Sequence, residues 1–208
     1  MGPIRKVVPS RLGNIFTGMA ATDEELMERL IGGQESALDQ LLQRYKSSLY
    51  AFALRSVQSS SVADDVFQET FLRVYRKRKT FQKGARFRPW LFQICLNLCR
   101  DHHRKVKRRQ EVELSEEAVG QAQRPGPEEH AQKAAEARRV QDAISRLPEK
   151  HRAVLILTQY EGLSQQEAAL ALGIPEGTVK SRKFKAIRTL AKMLAPFLGH
   201  QEKKSPKK

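Results

Sequence analysis

The sequence predicts an all-α protein made of two small helical domains joined by a flexible linker. Three observations carry that expectation. Ala, Leu, Gln, Glu, Lys and Arg fill most positions and aromatics make up only 7% of the 208 residues, a mixture that favours helix over sheet. Apolar residues recur three and four apart through both halves of the chain. Between the halves, residues 110–133 turn acidic through Glu111, Glu113, Glu116, Glu117, Glu128 and Glu129, and they contain Gly120 and Pro125-Gly126-Pro127. Such a stretch lacks the backbone geometry and donors that a helix needs.

Taken in order, residues 1–21 read as a disordered extension. Arg5, Lys6 and Arg11 are basic, but Pro3, Pro9 and Asn14 interrupt any apolar core, so no secretory signal is expected. The first domain, 22–109, opens at Thr22-Asp23-Glu24-Glu25, a capping box ahead of Leu26, Leu30 and Ile31, and Gly32-Gly33 ends that helix. Ala37, Leu38, Leu41, Leu42, Tyr45, Leu49, Phe52 and Leu54 follow at helical spacing as far as a Ser59-Ser60-Ser61 turn. A long helix then runs from Ala63, acidic at its start and basic at its end, as the helix dipole favours. Its Phe67, Phe71, Val74 and Tyr75 are core candidates. After a loop from Phe81 to Arg88, Pro89-Trp90-Leu91 opens a helix with Leu91, Ile94, Cys95 and Leu98 facing inward. Cys95 and Cys99 lie four apart, awkward for a disulfide and too few for a metal site, so both read as small buried thiols.

In the second domain, 134–196, Val140, Ile144 and Leu147 mark a helix that stops before Pro148. Pro148 in turn starts a helix with Val154, Leu155 and Leu157 in the core and Gly162 at its end. The stretch 163–190 is a helix-turn-helix. Ser164 and Glu167 form a capping box, Ala169 is small where helices cross, and Gly173 supplies a positive-φ turn. Ile174 and Val179 plug the angle between the helices. The second helix presents Thr178, Lys180, Ser181, Arg182, Lys185 and Arg188 outward over an inner stripe of Val179, Ala186, Ile187, Leu190 and Leu194. Recognition helices enter the major groove with their N-terminal half, so residues 178–185 are expected to read DNA. Residues 197–208 form a basic tail.

Charge points the same way. The net charge is +15, which attracts polyanions, and no run of eighteen apolar residues is present to span a bilayer. Residues 73–109 concentrate the excess: fourteen Lys or Arg face one acid, Asp101. So one-sided a block repels itself unless phosphate neutralises it. Phe81, Phe87 and Trp90 interleave with these cations, a pattern suited to stacking single-stranded bases. Trp90 reads equally well as a core anchor.

Three motifs resemble extracytoplasmic-function sigma factors, the two-domain members of the sigma factor family. They are Asp64-Asp65-Val66-Phe67-Gln68-Glu69-Thr70-Phe71, then Phe87-x-x-Trp90-Leu91-x-x-Ile94-x-x-Asn97-x-x-x-Asp101-x-x-Arg104, then Ile174-Pro175-x-Gly177-Thr178-Val179-Lys180-Ser181-Arg182. Their order and spacing make the likeness strong. The resemblance implies a non-enzymatic, cytoplasmic bacterial protein with no cofactor or metal. Its partners would be core RNA polymerase (clamp helices and flap), promoter DNA and, where one exists, an anti-sigma factor. It implies that Asp65, Gln68, Glu69 and Leu72 dock on the polymerase. Lys83, Arg86, Phe87, Trp90, Asn97, Arg100 and Arg104 would take the −10 element as a single strand, with one base flipped into a pocket beside the 83–87 loop. Thr178, Lys180, Ser181, Arg182, Phe184 and Lys185 would face the duplex −35 element. The chain departs from the family pattern at Pro89, at Gln93 and at Lys183, an inner-side position usually Leu or Ile, where the ammonium must snorkel outward. Two weaker readings are a self-sufficient transcriptional regulator, which would carry a sensor domain, and a nucleic-acid enzyme using Asp101, His102 and His103 with a metal, for which nothing else supplies the carboxylates.

Overall fold

In the computed structural model of the chain, residues 21–113 and 131–198 are described, and every regular element among them is helical. The first domain comprises α1 (Asp23–Ile31), α2 (Ser36–Val57), α3 (Ser60–Lys77) and α4 (Phe87–Glu113), with a short 3₁₀ turn at Arg78–Thr80. The second comprises α5 (Ala131–Ser145), α6 (Glu149–Leu155) with a π-turn at Ile156–Tyr160, α7 (Gln165–Leu172) and α8 (Glu176–Leu198). The expected extension, the Pro125-Gly126-Pro127 stretch and most of the basic tail lie outside the described residues.

Local chemistry accounts for the helix ends. The Thr22 hydroxyl accepts the Glu25 amide at 3.2 Å while the Glu25 carboxylate accepts the Thr22 amide at 2.9 Å, so α1 begins with both halves of a capping box. Along α2, Ala37, Leu41, Tyr45, Leu49 and Phe52 are buried, a stripe at fourfold and threefold spacing. The N-terminus of α4 is capped from a distance: the Phe87 amide donates to the Glu24 carboxylate at 2.9 Å, across 63 positions. That partner lets α4 start at Phe87, inside the expected loop. At its other end α4 continues to Glu113, into the expected linker, because no Gly or Pro intervenes before Gly120.

The helix-turn-helix forms as its local signals require. Ser164 and Glu167 exchange amide hydrogen bonds of 3.1 and 2.9 Å. Gly173 ends α7 at φ 64°, the left-handed region that glycine enters without penalty. Two inner-face expectations change. Ala168 and Ala171 are the buried small residues of α7, with Ala169 only half-buried. Ile187 is 46% exposed, because Val179 and Ala186 define the inner face of α8 and Ile187 has turned past its edge.

One buried cluster runs through both domains. It joins Phe52, Phe87, Leu91 and Phe92 to Leu155, Ile156, Leu157 and Ala168, each large side chain contributing about 1.5–3 kcal/mol of burial. The join is made chiefly by α4 lying against α7, with α2 meeting the π-turn and α5. Cys95 and Cys99 are buried free thiols within it, and burial, followed by its hydrogen bond with Cys99, pushes the Cys95 thiol well up.

Candidate nucleic-acid interface

Three surfaces collect the residues singled out by the sequence. On α8, Val179 and Ala186 anchor the helix in the core, leaving Lys180, Ser181, Phe184 and Lys185 exposed, with Phe184 66% exposed. Thr178 and Arg182 are half-buried at the edge of that surface. The Ser181 hydroxyl donates to the Thr178 carbonyl at 3.1 Å, which ties its rotamer to the backbone. Lys183 is half-buried, not taken into the core, as a snorkelling lysine should be. His151, at the start of α6, is held below its ordinary pKa by burial and then by Lys150, Lys185 and Arg182. Lys150, Lys185 and Arg182 thus add positive charge beside His151 and the recognition helix.

The second surface surrounds the N-terminal half of α4. Lys83 and Arg86 are exposed in the turn that leads into it, and Gly84 adopts φ 83° there. Beside this turn lies a cleft of about 300 Å³ walled by Tyr45, Ala85, Arg86, Arg88 and Glu167. Phe87 does not belong to the DNA-facing set: its side chain is 0% exposed. Its ring is 5.5 Å from Tyr45, 6.3 Å from Phe81 and 6.2 Å from Trp90, centroid to centroid, so the phenyl group is core and only its amide serves the helix end. Trp90, with Phe81 at 5.1 Å, is half-buried and half available. Asn97 and Arg104 are exposed, and Arg104 lies 3.5 Å from Asp101. Arg100 is engaged elsewhere: its Nε donates to the Glu149 carboxylate of α6 at 2.9 Å.

The third surface is on α3. Asp65, Gln68 and Leu72 are exposed, Leu72 by 49%. Glu69 is aimed by Arg73 at 2.9 Å and Arg76 at 3.8 Å. A groove of about 410 Å³ between α3 and α4 is lined by Asp65, Glu69, Arg73, Asp101 and Arg104. Among the described residues no three His, Cys, Asp or Glu side chains converge as metal ligands, and none of the described helices is long and apolar enough to cross a membrane.

Residues to which the sequence reading gave no role at these surfaces also join them. Glu161 is buried beside Arg55 at 3.2 Å, and the Arg88 guanidinium donates to the Glu161 carbonyl oxygen. Glu167 lies 3.6 Å from Arg86, and His103 Nε2 is 3.3 Å from Arg152 and 3.0 Å from the Ser56 carbonyl. The available signal was an acid, Glu161, closing the otherwise uncharged run from Ala153.

Known proteins of the same pattern cover both domains. Residues 41–109 match the family model for Sigma-70 region 2, and residues 137–190 match that for Sigma-70, region 4. The chain is 31% identical over 184 residues to the RNA polymerase sigma-H factor of Pseudomonas aeruginosa, covering 85% of this chain and 95% of that one. It is 34% identical over 173 residues to the ECF RNA polymerase sigma factor SigM of Mycobacterium tuberculosis, covering 83% and 85%. Among solved structures, CnrH in complex with the cytosolic domain of CnrY superposes with a TM-score of 0.66 at 29% identity, covering 84% of this chain and 97% of that one. RpoE in complex with the anti-sigma factor NepR from Bartonella quintana gives 0.62 at 27%, covering 76% and 96%. Two helical domains in this order, with an exposed recognition helix and a basic α4, are accounted for by those relatives: the chain belongs to the extracytoplasmic-function group of the RNA polymerase sigma factor family.

Proposed function

We propose that residues 22–109 bind core polymerase and the −10 element, and that residues 134–196 bind the −35 element. As a sigma factor the chain binds core RNA polymerase, directs it to specific promoters and promotes the DNA melting that starts transcription. The division of labour rests on one observation: exposed side chains of different chemistry lie on α8, on α4 with the turn before it, and on α3, the last two meeting in the groove that Arg104 shares with Asp65 and Glu69.

The acidic and apolar α3 surface of Asp65, Gln68, Glu69 and Leu72 suits a protein partner, the polymerase clamp helices. Lys83, Arg86, Trp90, Asn97, Arg100 and Arg104 suit a single strand, with cations for phosphates and an indole edge for a base. The turn at residues 84–86 is the place for a flipped base, whose extrusion costs a few kcal/mol that phosphate contacts offset. Thr178, Lys180, Ser181, Arg182, Phe184 and Lys185 suit the major groove of a duplex. The protein performs no catalysis itself, works in the cytoplasm, and is open to control by an anti-sigma factor, the type of partner seen with RpoE of Bartonella quintana.

Transcription reconstituted from core polymerase, this protein and genomic fragments, with sequenced start sites, tests the proposal. New, shared-motif start sites that need both components are expected. Core polymerase that gains no initiation from the protein would overturn it.

A further inference from the structure

The turn that leads into α4 cannot cap the helix it precedes. It reads Lys83-Gly84-Ala85-Arg86, and none of these side chains can accept a hydrogen bond. Yet α4 begins at Phe87, where the first amides of a helix have no partner within it. Helix starts favour Ser, Thr, Asp or Asn at the cap and disfavour cations, which oppose the helix dipole. Lys83 and Arg86, both exposed, therefore suit phosphate and not the helix start beside them.

The first turn of α1 supplies what is missing. Its three consecutive acids point to three different partners. Glu25 returns to the Thr22 amide at 2.9 Å. Asp23 accepts from Arg44 at 2.7 Å and from the Tyr45 hydroxyl. Glu24 alone crosses to α4, where its carboxylate accepts the Phe87 amide at 2.9 Å. Glu24 is exposed, so its side chain fills no place in the core, and its carboxylate serves α4. The other end of the turn is fixed separately: Phe81 is buried, with its ring 5.1 Å from Trp90 and 6.3 Å from Phe87. Within the turn the Ala85 amide donates to the Gln82 carbonyl at 3.0 Å.

We propose that Glu24 is a positioning residue for −10 recognition. By capping α4 from α1 it fixes the turn that presents Lys83 and Arg86, and it touches no DNA itself. Without the cap the first turn of α4 frays, and only the fraction of molecules with the turn in place can read a flipped base. The effect is confined to that base. Asn97 and Arg104 lie roughly three and five helical turns further along α4, beyond the reach of fraying at Phe87. A merely stabilising contact would instead weaken every −10 contact together.

This inference rests on the assignment of the 84–86 turn to the flipped base, and the test separates the two. Glu24→Asp keeps the charge but is one methylene too short to reach Phe87. Glu24→Gln keeps the length and an acceptor oxygen without the charge. Both residues are tolerated in the first turn of a helix, so both chains should fold. Amide hydrogen exchange at Phe87, in the full chain, reads the cap. Transcription by reconstituted holoenzyme, from a promoter varied one −10 position at a time, reads recognition. Glu24→Asp should speed exchange at Phe87 and flatten the preference at the flipped-base position by at least about twofold, the lower end of a lost cap. The other −10 positions should keep their preferences, and Glu24→Gln should stay nearer wild type on both readouts. Unchanged exchange in Glu24→Asp would overturn the cap. Faster exchange with an unaltered −10 profile, or with an equal loss at every position, would overturn the positioning role. Glu24→Gln no better than Glu24→Asp would overturn the hydrogen bond as its means. An unaltered −10 profile in Lys83→Ala/Arg86→Ala would instead overturn the assignment of the turn itself.

Discussion

The Glu161 carboxylate lies 3.2 Å from the Arg55 guanidinium although 106 positions separate the two residues. Glu161 is 6% exposed, and burial raises its pKa against the opposing pull of Arg55 and then Arg88. A carboxyl whose pKa is higher in the native state holds its proton more tightly there. Its contribution to stability is therefore fully present below its unfolded pKa and is lost as pH rises through the native value. Urea unfolding midpoints should accordingly contain a component that falls with rising pH above 4.5, the ordinary value. Glu161→Gln, neutral at every pH, should remove that component. A variant with the same pH dependence as wild type would contradict the desolvation argument.

Phe87 tests the division between core and DNA contact. With its ring fully buried among Tyr45, Phe81 and Trp90, Phe87→Ala should cost about 3–5 kcal/mol of unfolding free energy. Chemical denaturation is the measurement. A loss under about 1 kcal/mol accompanied by a defect in promoter opening would place the ring back at the DNA.

Lys180 and Lys185, both exposed on α8, can be separated by what they touch. Each alanine variant should weaken use of the −35 element. A lysine that reads a base costs about 1–3 kcal/mol and relaxes sequence preference at one position, whereas one that meets only phosphate lowers the salt slope by about 1 and leaves preference intact. Holoenzyme binding to a −35 mutant panel at two salt concentrations distinguishes these. No effect from either substitution would move the −35 surface off this part of the helix.

Gly173 closes α7 at φ 64° with open space where a Cβ would project. The cost of Gly173→Ala is then backbone strain alone, about 1–2 kcal/mol, and should appear as a lower thermal midpoint. Gly177, with open space and no such φ, offers the comparison: Gly177→Ala should be neutral or stabilising, by up to about 1 kcal/mol, because a helix favours Ala.

Much of this molecule is written locally. Both capping boxes, Thr22 with Glu25 and Ser164 with Glu167, formed as their spacing required. So did the left-handed turn at Gly173 and the buried stripe from Ala37 to Phe52, because each depends on neighbours within one helical turn. The family likeness was legible for the same reason, in short motifs held at fixed spacing. Local reading failed where a residue answers to something distant in sequence. Phe87, set among cations, reads as a stacking platform until its ring is seen inside an aromatic cluster and its amide capped by Glu24. Ile187, near the edge of a helical face, could not be placed without knowing what that face packs against. The contact between α4 and α7 was least visible of all. Arg100 and Glu149, like Arg55 and Glu161, carry no sequence mark of their pairing, since charge attraction and apolar burial act through space and are blind to position along the chain. Residue order thus specifies two helical domains, while packing through space decides which side chains are buried, paired or left exposed.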